Sequence, residues 1–133
     1  MNALLLSINP EHVANIMNHS KFFEFRKVAC KRNVDLMIIY CTNPVKKIVG
    51  QAKIRRVITG DPEHVWRETE NGAGISKEFF DRYYSGRKTA IAYELYDIIE
   101  YTEPRNLSDF GIHFPPQSFV YVDWLCTEMA NIA

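Results

Sequence analysis

The segment Lys21-Phe22-Phe23-Glu24-Phe25-Arg26-Lys27 interleaves charges with aromatic rings. In an extended chain Glu24 and Arg26 project from one face, two residues apart. Such a pair either closes on itself as a surface ion pair or presents a carboxylate acceptor beside a guanidinium fork in a cleft. Strict alternation turns Lys21 to the opposite face. Lys21 sits at a turn, however, where alternation need not hold, and there it offers a cation for a phosphate or an amine nucleophile. The second segment is Tyr40-Cys41-Thr42-Asn43-Pro44-Val45-Lys46-Lys47. A phenol ends an apolar run, and a turn with two lysines follows. Bases stack on such aromatic walls while lysines meet phosphates, and Tyr40 with Lys46 also makes a proton-transfer pair. The alternative is a core tyrosine beside two solubilising lysines. Lys53, Arg55 and Arg56 lie on a later strand, with Lys31 and Arg32 before an earlier one. They form either a patch suited to one strand of RNA or DNA or the polar face of an amphipathic strand.

Other chemistries find less support. His12, His19, His64 and His113 form neither HExxH nor HxH, and none has zinc spacing with cysteine, so no metal or other cofactor is expected. His19 lies beside the Lys21 segment, either as a titrating group or as a helix-end residue near the dipole. Gly72 and Gly74 match neither GxGxxG nor GxxxxGK. GxSxG is absent. Phe79, Phe80, Tyr83 and Tyr84 form i, i+4 aromatic pairs that read as core packing. Ser118 follows Pro115-Pro116-Gln117 as a turn hydroxyl or a cleft donor.

The elements that must position these residues follow from periodicity. Ala3–Ile8 reads as a buried strand. Asn9-Pro10-Glu11 is a cap, a proline and a first-turn acid, opening a helix to Asn18 that buries Val13, Ile16 and Met17. Phe22–Val28 is extended. Val34–Cys41 is a near-continuous apolar run, so that strand is covered on both faces. Ile48–Thr59 alternates. Asp61-Pro62 opens a second helix that fades at Asn71-Gly72-Ala73-Gly74. Ser76 caps a third, stopped by Ser85-Gly86. Strands at Thr89–Tyr101 and Ser118–Trp124 finish the chain. Five or six strands with two or three helices, and long strands lacking intervening helices, predict an α+β domain built on a mixed, strongly bent sheet or small barrel.

Length and composition bound the function. The chain has 133 residues, enough for one domain over 1–133. It is 47% hydrophobic, which excludes a disordered tail. Sixteen basic residues cancel sixteen acidic ones, so bulk charge cannot coat a nucleic acid and any such site is local. Cys30, Cys41 and Cys126 fit no disulfide framework, which predicts a reducing, cytoplasmic setting. The apolar runs are too short to span a membrane, and the start lacks the basic region of a signal peptide. The neutral balance keeps a regulatory or protein-interaction module as a rival reading. Oligomeric state is not legible here.

Three stretches together resemble the ASCH domain family of the PUA-like superfamily. Its hallmark G-x-K-x-x-E-x-R reads here His19-Ser20-Lys21-Phe22-Phe23-Glu24-Phe25-Arg26, with His19 in place of glycine. Tyr40 to Gly50 is similar to the family's strand, polar turn, P-V-K and I-x-G strand. Ile75 to Gly86, with Tyr101-x-x-Pro104 and Pro115-Pro116-Gln117-Ser118-Phe119, is similar to the branch called predicted transcriptional regulators. The resemblance covers nearly the whole chain. It implies a small mixed β-barrel plugged by helices, and RNA or single-stranded nucleic acid as partner in a cleft rimmed by the motif; with the basic segments above, the expected contacts are Lys21, Glu24, Arg26, Lys46, Lys47, Lys53 and Arg55. Two activities within the wider family follow as expectations. One is metal-independent ribonuclease action, for which Tyr40, Lys46 and Ser118, with Lys53, would supply base, cation and acid if the barrel gathers them. The other is hydrolysis of N4-acylated cytidine through Lys21, where Glu24 departs from the threonine of the members that do this.

Overall fold

The structure, a computed structural model, describes residues 2–123. Six strands run β1 (Asn2–Ile8), β2 (Phe23–Arg26), β3 (Leu36–Cys41), β4 (Lys47–Gly60), β5 (Ala90–Arg105) and β6 (Phe119–Asp123). Three α-helices are α1 (Pro10–Met17), α2 (Pro62–Thr69) and α3 (Lys77–Tyr83). The strands form one sheet in the order β2-β5-β4-β3-β1-β6. Among the described residues only the neighbours β1 and β3 run parallel; the other pairs are antiparallel.

The sheet is strongly bent but open. β2 and β6 are its two edges among the described residues, so the closed-barrel expectation is corrected. Curvature comes from the long pair β4 and β5, whose register slips between Ile48 and Gly50, Gln51 and Lys53, and Ile54 and Arg56. Each slip inserts a bulge that turns the strand and sharpens its twist. The strand closing the sheet in sequence, expected at Ser118–Trp124, is described only to Asp123. β2 stops at Arg26, short of the expected Val28. β5 runs on to Arg105 through Pro104, at a strand end where the missing N–H does no harm.

Burial follows the apolar pattern. Every residue of β3 is buried. One face carries Leu4, Leu6, Ile8, Met37, Ile39 and Cys41 against Val13 and Ile16 of α1. The other carries Ala3, Leu5, Leu36, Ile38 and Tyr40, with Tyr101 and the 3-10 turn of Leu107–Phe110. A third cluster packs Val65, Phe80 and Tyr84 of α2, α3 and the residue after α3 on Phe23, Phe25 and Ala92. The expected caps form: Asn9, Asp61 and Ser76 side chains each accept a first-turn backbone N–H.

Candidate nucleic-acid interface

The chain leaves α1 through a left-handed residue. His19 has φ 64°, and Ser20 N–H and Lys21 N–H both donate to the Asn15 carbonyl at 3.0 Å. Left-handed backbone favours glycine, which is the physical reason for glycine in the motif that His19 occupies. The turn sends Lys21 inward, into the pocket that Glu24 and Arg26 also line, rather than to the opposite face that strict alternation would give it. Lys21 is 1% exposed. Its Nζ donates to the Ala73 carbonyl at 3.0 Å and stands 4.7 Å above the Phe25 ring. Burial pulls its pKa down to about 8; Glu24 opposes that shift and Arg26 adds to it. Gly74, with φ 69°, makes room for it: a Cβ there would lie 2.3 Å from Lys21 Cβ. In sequence Gly72 and Gly74 match no phosphate-binding fingerprint and mark only the end of a helix. In the structure this stretch is the cradle of a buried lysine.

Glu24 and Arg26 share a face of β2, as their spacing predicted. Glu24 is 5% exposed, so this is not a solvated strand edge. Its Oε2 lies 3.1 Å from Arg26 Nε, in ion-pair range but not aligned as a hydrogen bond. Arg26 Nη2 donates to the Ser7 carbonyl at 2.7 Å, tying β2 to the end of β1. Tyr84 fixes the strand, its hydroxyl donating to the Arg26 carbonyl at 2.8 Å, with the Ile91 carbonyl at 3.1 Å sharing the proton and the Ile91 N–H donating to its oxygen at 3.4 Å.

These side chains line a pocket of about 230 Å³, with Ser7, Asn9, His12, Ile75, Phe79 and Tyr83 on its other walls. Several of these were missed from sequence. Phe79 was assigned to the core, yet it is 37% exposed and meets His12 edge-on, ring centroids 5.3 Å apart. Of the two i, i+4 pairs expected, Phe80 and Tyr84 pack on each other in the core, ring centroids 4.8 Å apart, whereas Phe79 turns to His12 and Tyr83 packs edge-on against Tyr84. The signal for His12 was its place one turn into α1, just after the Asn9-Pro10 cap. Its pKa is lowered, first by burial and then by Lys21, so the ring is neutral at pH 7. Burial likewise raises the Tyr83 phenol.

The second predicted group lies elsewhere on the sheet. Tyr40 is 3% exposed at the end of β3, opposite Ser7 in the parallel register. Ser7 Oγ donates to the Pro116 carbonyl at 2.7 Å. Phe119 of β6 stands opposite Leu6, so continuing that register by one residue sets the exposed Ser118 beside Ser7. Tyr40 and Ser7 are thus paired across β3 and β1, and Ser118 lies one residue before the start of β6. Lys46 is exposed in the β3–β4 turn at φ 54°, and Lys47 Nζ is bound to Asn106 Oδ1. Lys53 joins neither group: it pairs with Asp97 at 3.0 Å. Arg55 and Arg56 pair with Glu94, at 3.5 Å and 2.6 Å. Arg55 also lies 4.3 Å over the Tyr96 ring. The apparent basic stripe is thus answered by acids across the β4–β5 ladder. Arg32 similarly rests 4.3 Å over Tyr121. Among the described residues no three His, Cys, Asp or Glu side chains gather as metal ligands. No described helix is long and apolar enough to cross a membrane.

Comparison with known proteins agrees with this architecture. The family model described as "Domain of unknown function (DUF365)" matches residues 3–113. The large ribosomal subunit protein uL22 of Ureaplasma parvum serovar 3 is 28% identical over 120 residues, 90% of this chain but only 39% of that protein. The chain thus spans well under half the length of that relative. The ASCH domain-containing ribonuclease of Zymomonas mobilis is 29% identical over 123 residues, covering 89% of this chain and 82% of that one. The crystal structure of ASCH from Zymomonas mobilis superposes with a TM-score of 0.81 at 28% identity, over 97% of this chain and 91% of that chain. Tyrosine-to-phenylalanine and serine-to-alanine variants of that protein superpose as well, with TM-scores of 0.81 and 0.80. The chain belongs to the family described as domain of unknown function DUF365, and its fold is that of an ASCH domain.

Proposed function

We propose that this protein binds single-stranded RNA and takes one unstacked base into the pocket of Lys21, Glu24 and Arg26. The pocket's composition carries this reading. A phosphate site would hold cations alone, because a buried carboxylate repels phosphate oxygens. Here Glu24 lines the same pocket as Lys21 and Arg26, beside the rings of Phe25, Phe79 and Tyr83. Donors, an acceptor and flat apolar walls in one small cavity suit a planar heterocycle with N–H and carbonyl groups. The exposed Lys46 is left to meet the backbone.

A second reading, metal-independent RNA cleavage, is favoured by two observations. One is the pairing of Tyr40 with Ser7 across β3 and β1, with Ser118 just before β6 and Lys46 in the turn after β3, which brings a phenol and a hydroxyl together. The other is the similarity to a protein named a ribonuclease, of which tyrosine and serine variants have been crystallised. In this reading Tyr40 moves the 2′-hydroxyl proton, Lys46 stabilises the phosphate charge and Ser118 donates toward the leaving oxygen.

Both readings meet one experiment. Wild type, Lys21→Ala, Lys46→Ala and Tyr40→Phe are incubated in EDTA with a labelled single-stranded RNA, and both retardation and fragment size are followed. Retardation lost in Lys21→Ala supports base binding in the pocket. Fragments lost in Tyr40→Phe with retardation kept support cleavage. Absence of retardation at low salt refutes RNA binding and turns attention to N4-acylated cytidine, with Lys21 as the group to test.

A further inference from the structure

Two buried side-chain nitrogens lack a hydrogen-bond partner among the described residues: His12 Nδ1 and Arg26 Nε. Both belong to residues lining the same pocket. A buried polar atom left without a hydrogen bond costs free energy; Arg26 Nε has its charge met by Glu24 Oε2 at 3.1 Å, so His12 Nδ1 is the atom that marks where a ligand completes the bonding. Their chemistry differs. Arg26 Nε is a donor only. His12 is neutral, and with Lys21 and Arg26 in the same wall their field favours a lone pair over an N–H toward the cavity, which makes Nδ1 an acceptor. Glu24 is a second acceptor, and Lys21 retains further N–H donors beyond the one given to Ala73.

Resting on the base-binding reading above, we propose that the pocket selects an amino-bearing base over uracil, with His12 as the residue that sets this specificity. Two acceptors need two N–H groups on the ligand, beside an acceptor for Arg26 or Lys21. Cytosine presents both N–H groups on its exocyclic amine, and guanine on its amine and ring nitrogen. Uracil has a single N–H between two carbonyls and leaves an acceptor unanswered, facing a carbonyl oxygen. The edge-on contact with Phe79 holds the imidazole ring in place for this role.

The test uses the full chain and 2′-O-methyl oligomers of cytidine and of uridine of equal length, which cannot be cut through a 2′-hydroxyl. Binding is followed by fluorescence anisotropy for wild type, His12→Leu and His12→Asn, each first checked for a cooperative melt. The expected result is about tenfold or more tighter binding of the cytidine oligomer to wild type, the discrimination of one good base contact. His12→Leu brings the ratio toward one. His12→Asn, which keeps an acceptor near the Nδ1 position, restores much of it. Equal binding of both oligomers by wild type, or an unchanged ratio in His12→Leu, overturns the specificity while RNA binding stands. Binding of neither oligomer overturns the base-binding reading and this inference with it.

Discussion

Replacing Lys21 by methionine separates the cost of burying this lysine from its use. The folded chain holds the ammonium at a pKa of about 8 against an ordinary 10.5, and desolvation is the first cause. That gap corresponds to about 3 kcal/mol of folding free energy given up at neutral pH to keep the charge buried. Methionine fills a similar volume without a charge. It forfeits the bond to the Ala73 carbonyl, which costs about 1–2 kcal/mol once that oxygen is left unpaired. Lys21→Met is therefore expected to raise stability by about 1–2 kcal/mol at pH 7 while abolishing RNA retardation. The pH dependence has a definite sign. The folded pKa is depressed, so between pH 8 and 10.5 the unfolded chain binds the proton that the folded one has released. Stability contributed by this site rises with pH across that window, by about 1 kcal/mol per unit. The advantage of the variant should shrink accordingly from pH 8 to pH 10. Burial raises the Cys41 thiol and the phenols of Tyr83, Tyr84 and Tyr93, which lowers stability at alkaline pH in both chains and cancels in the difference. Denaturant unfolding of both chains at pH 7, 8.5 and 10 is the assay. A variant that is less stable than wild type at pH 7, or a difference that does not change with pH, refutes the reasoning.

Three further outcomes follow from the same geometry. Gly74→Ala drives a Cβ to 2.3 Å from Lys21 Cβ at φ 69° and should cost several kcal/mol, whereas Gly86→Ala, at φ 77° with nothing within 4 Å, should cost only about 1 kcal/mol of backbone strain; denaturant midpoints compare the two. Tyr84→Phe removes the hydroxyl that holds the carbonyls of Arg26 and Ile91 and should lower unfolding free energy by about 1–2 kcal/mol, with a weaker RNA affinity measured alongside. Because Lys53, Arg55 and Arg56 are already paired with Asp97 and Glu94 and Lys46 is left to meet the backbone, a salt titration of RNA binding should give a shallow slope of about one, and Lys53→Ala should leave that slope unchanged.

The local signals in the chain were strong where chemistry is local. Asn9-Pro10, Asp61-Pro62 and Ser76 announced three helix starts because a cap residue acts on the next backbone N–H groups, whatever the rest of the fold does. The apolar run ending at Cys41 announced a strand buried on both sides. Alternation placed Glu24 and Arg26 on one face, since a strand's period is set by its own backbone.

Relations between distant segments were not written in any one stretch. Whether Glu24 and Arg26 were a surface pair or a site depended on burial by α3 and the end of β1, segments far away in sequence. The basic stripe looked available until β5 brought Asp97 and Glu94 across from Lys53, Arg55 and Arg56. His12 and Phe79 had ordinary helical contexts, and only the packing of α1 beside α3 made them walls of one cavity. The bend of the sheet, too, was decided by where bulges fell along β4 and β5. Sequence thus determined what each segment is, because secondary structure answers to hydrogen bonds and periodicity within a few residues. Tertiary structure decided which charges meet and which lose their water, because those energies depend on neighbours that only folding supplies.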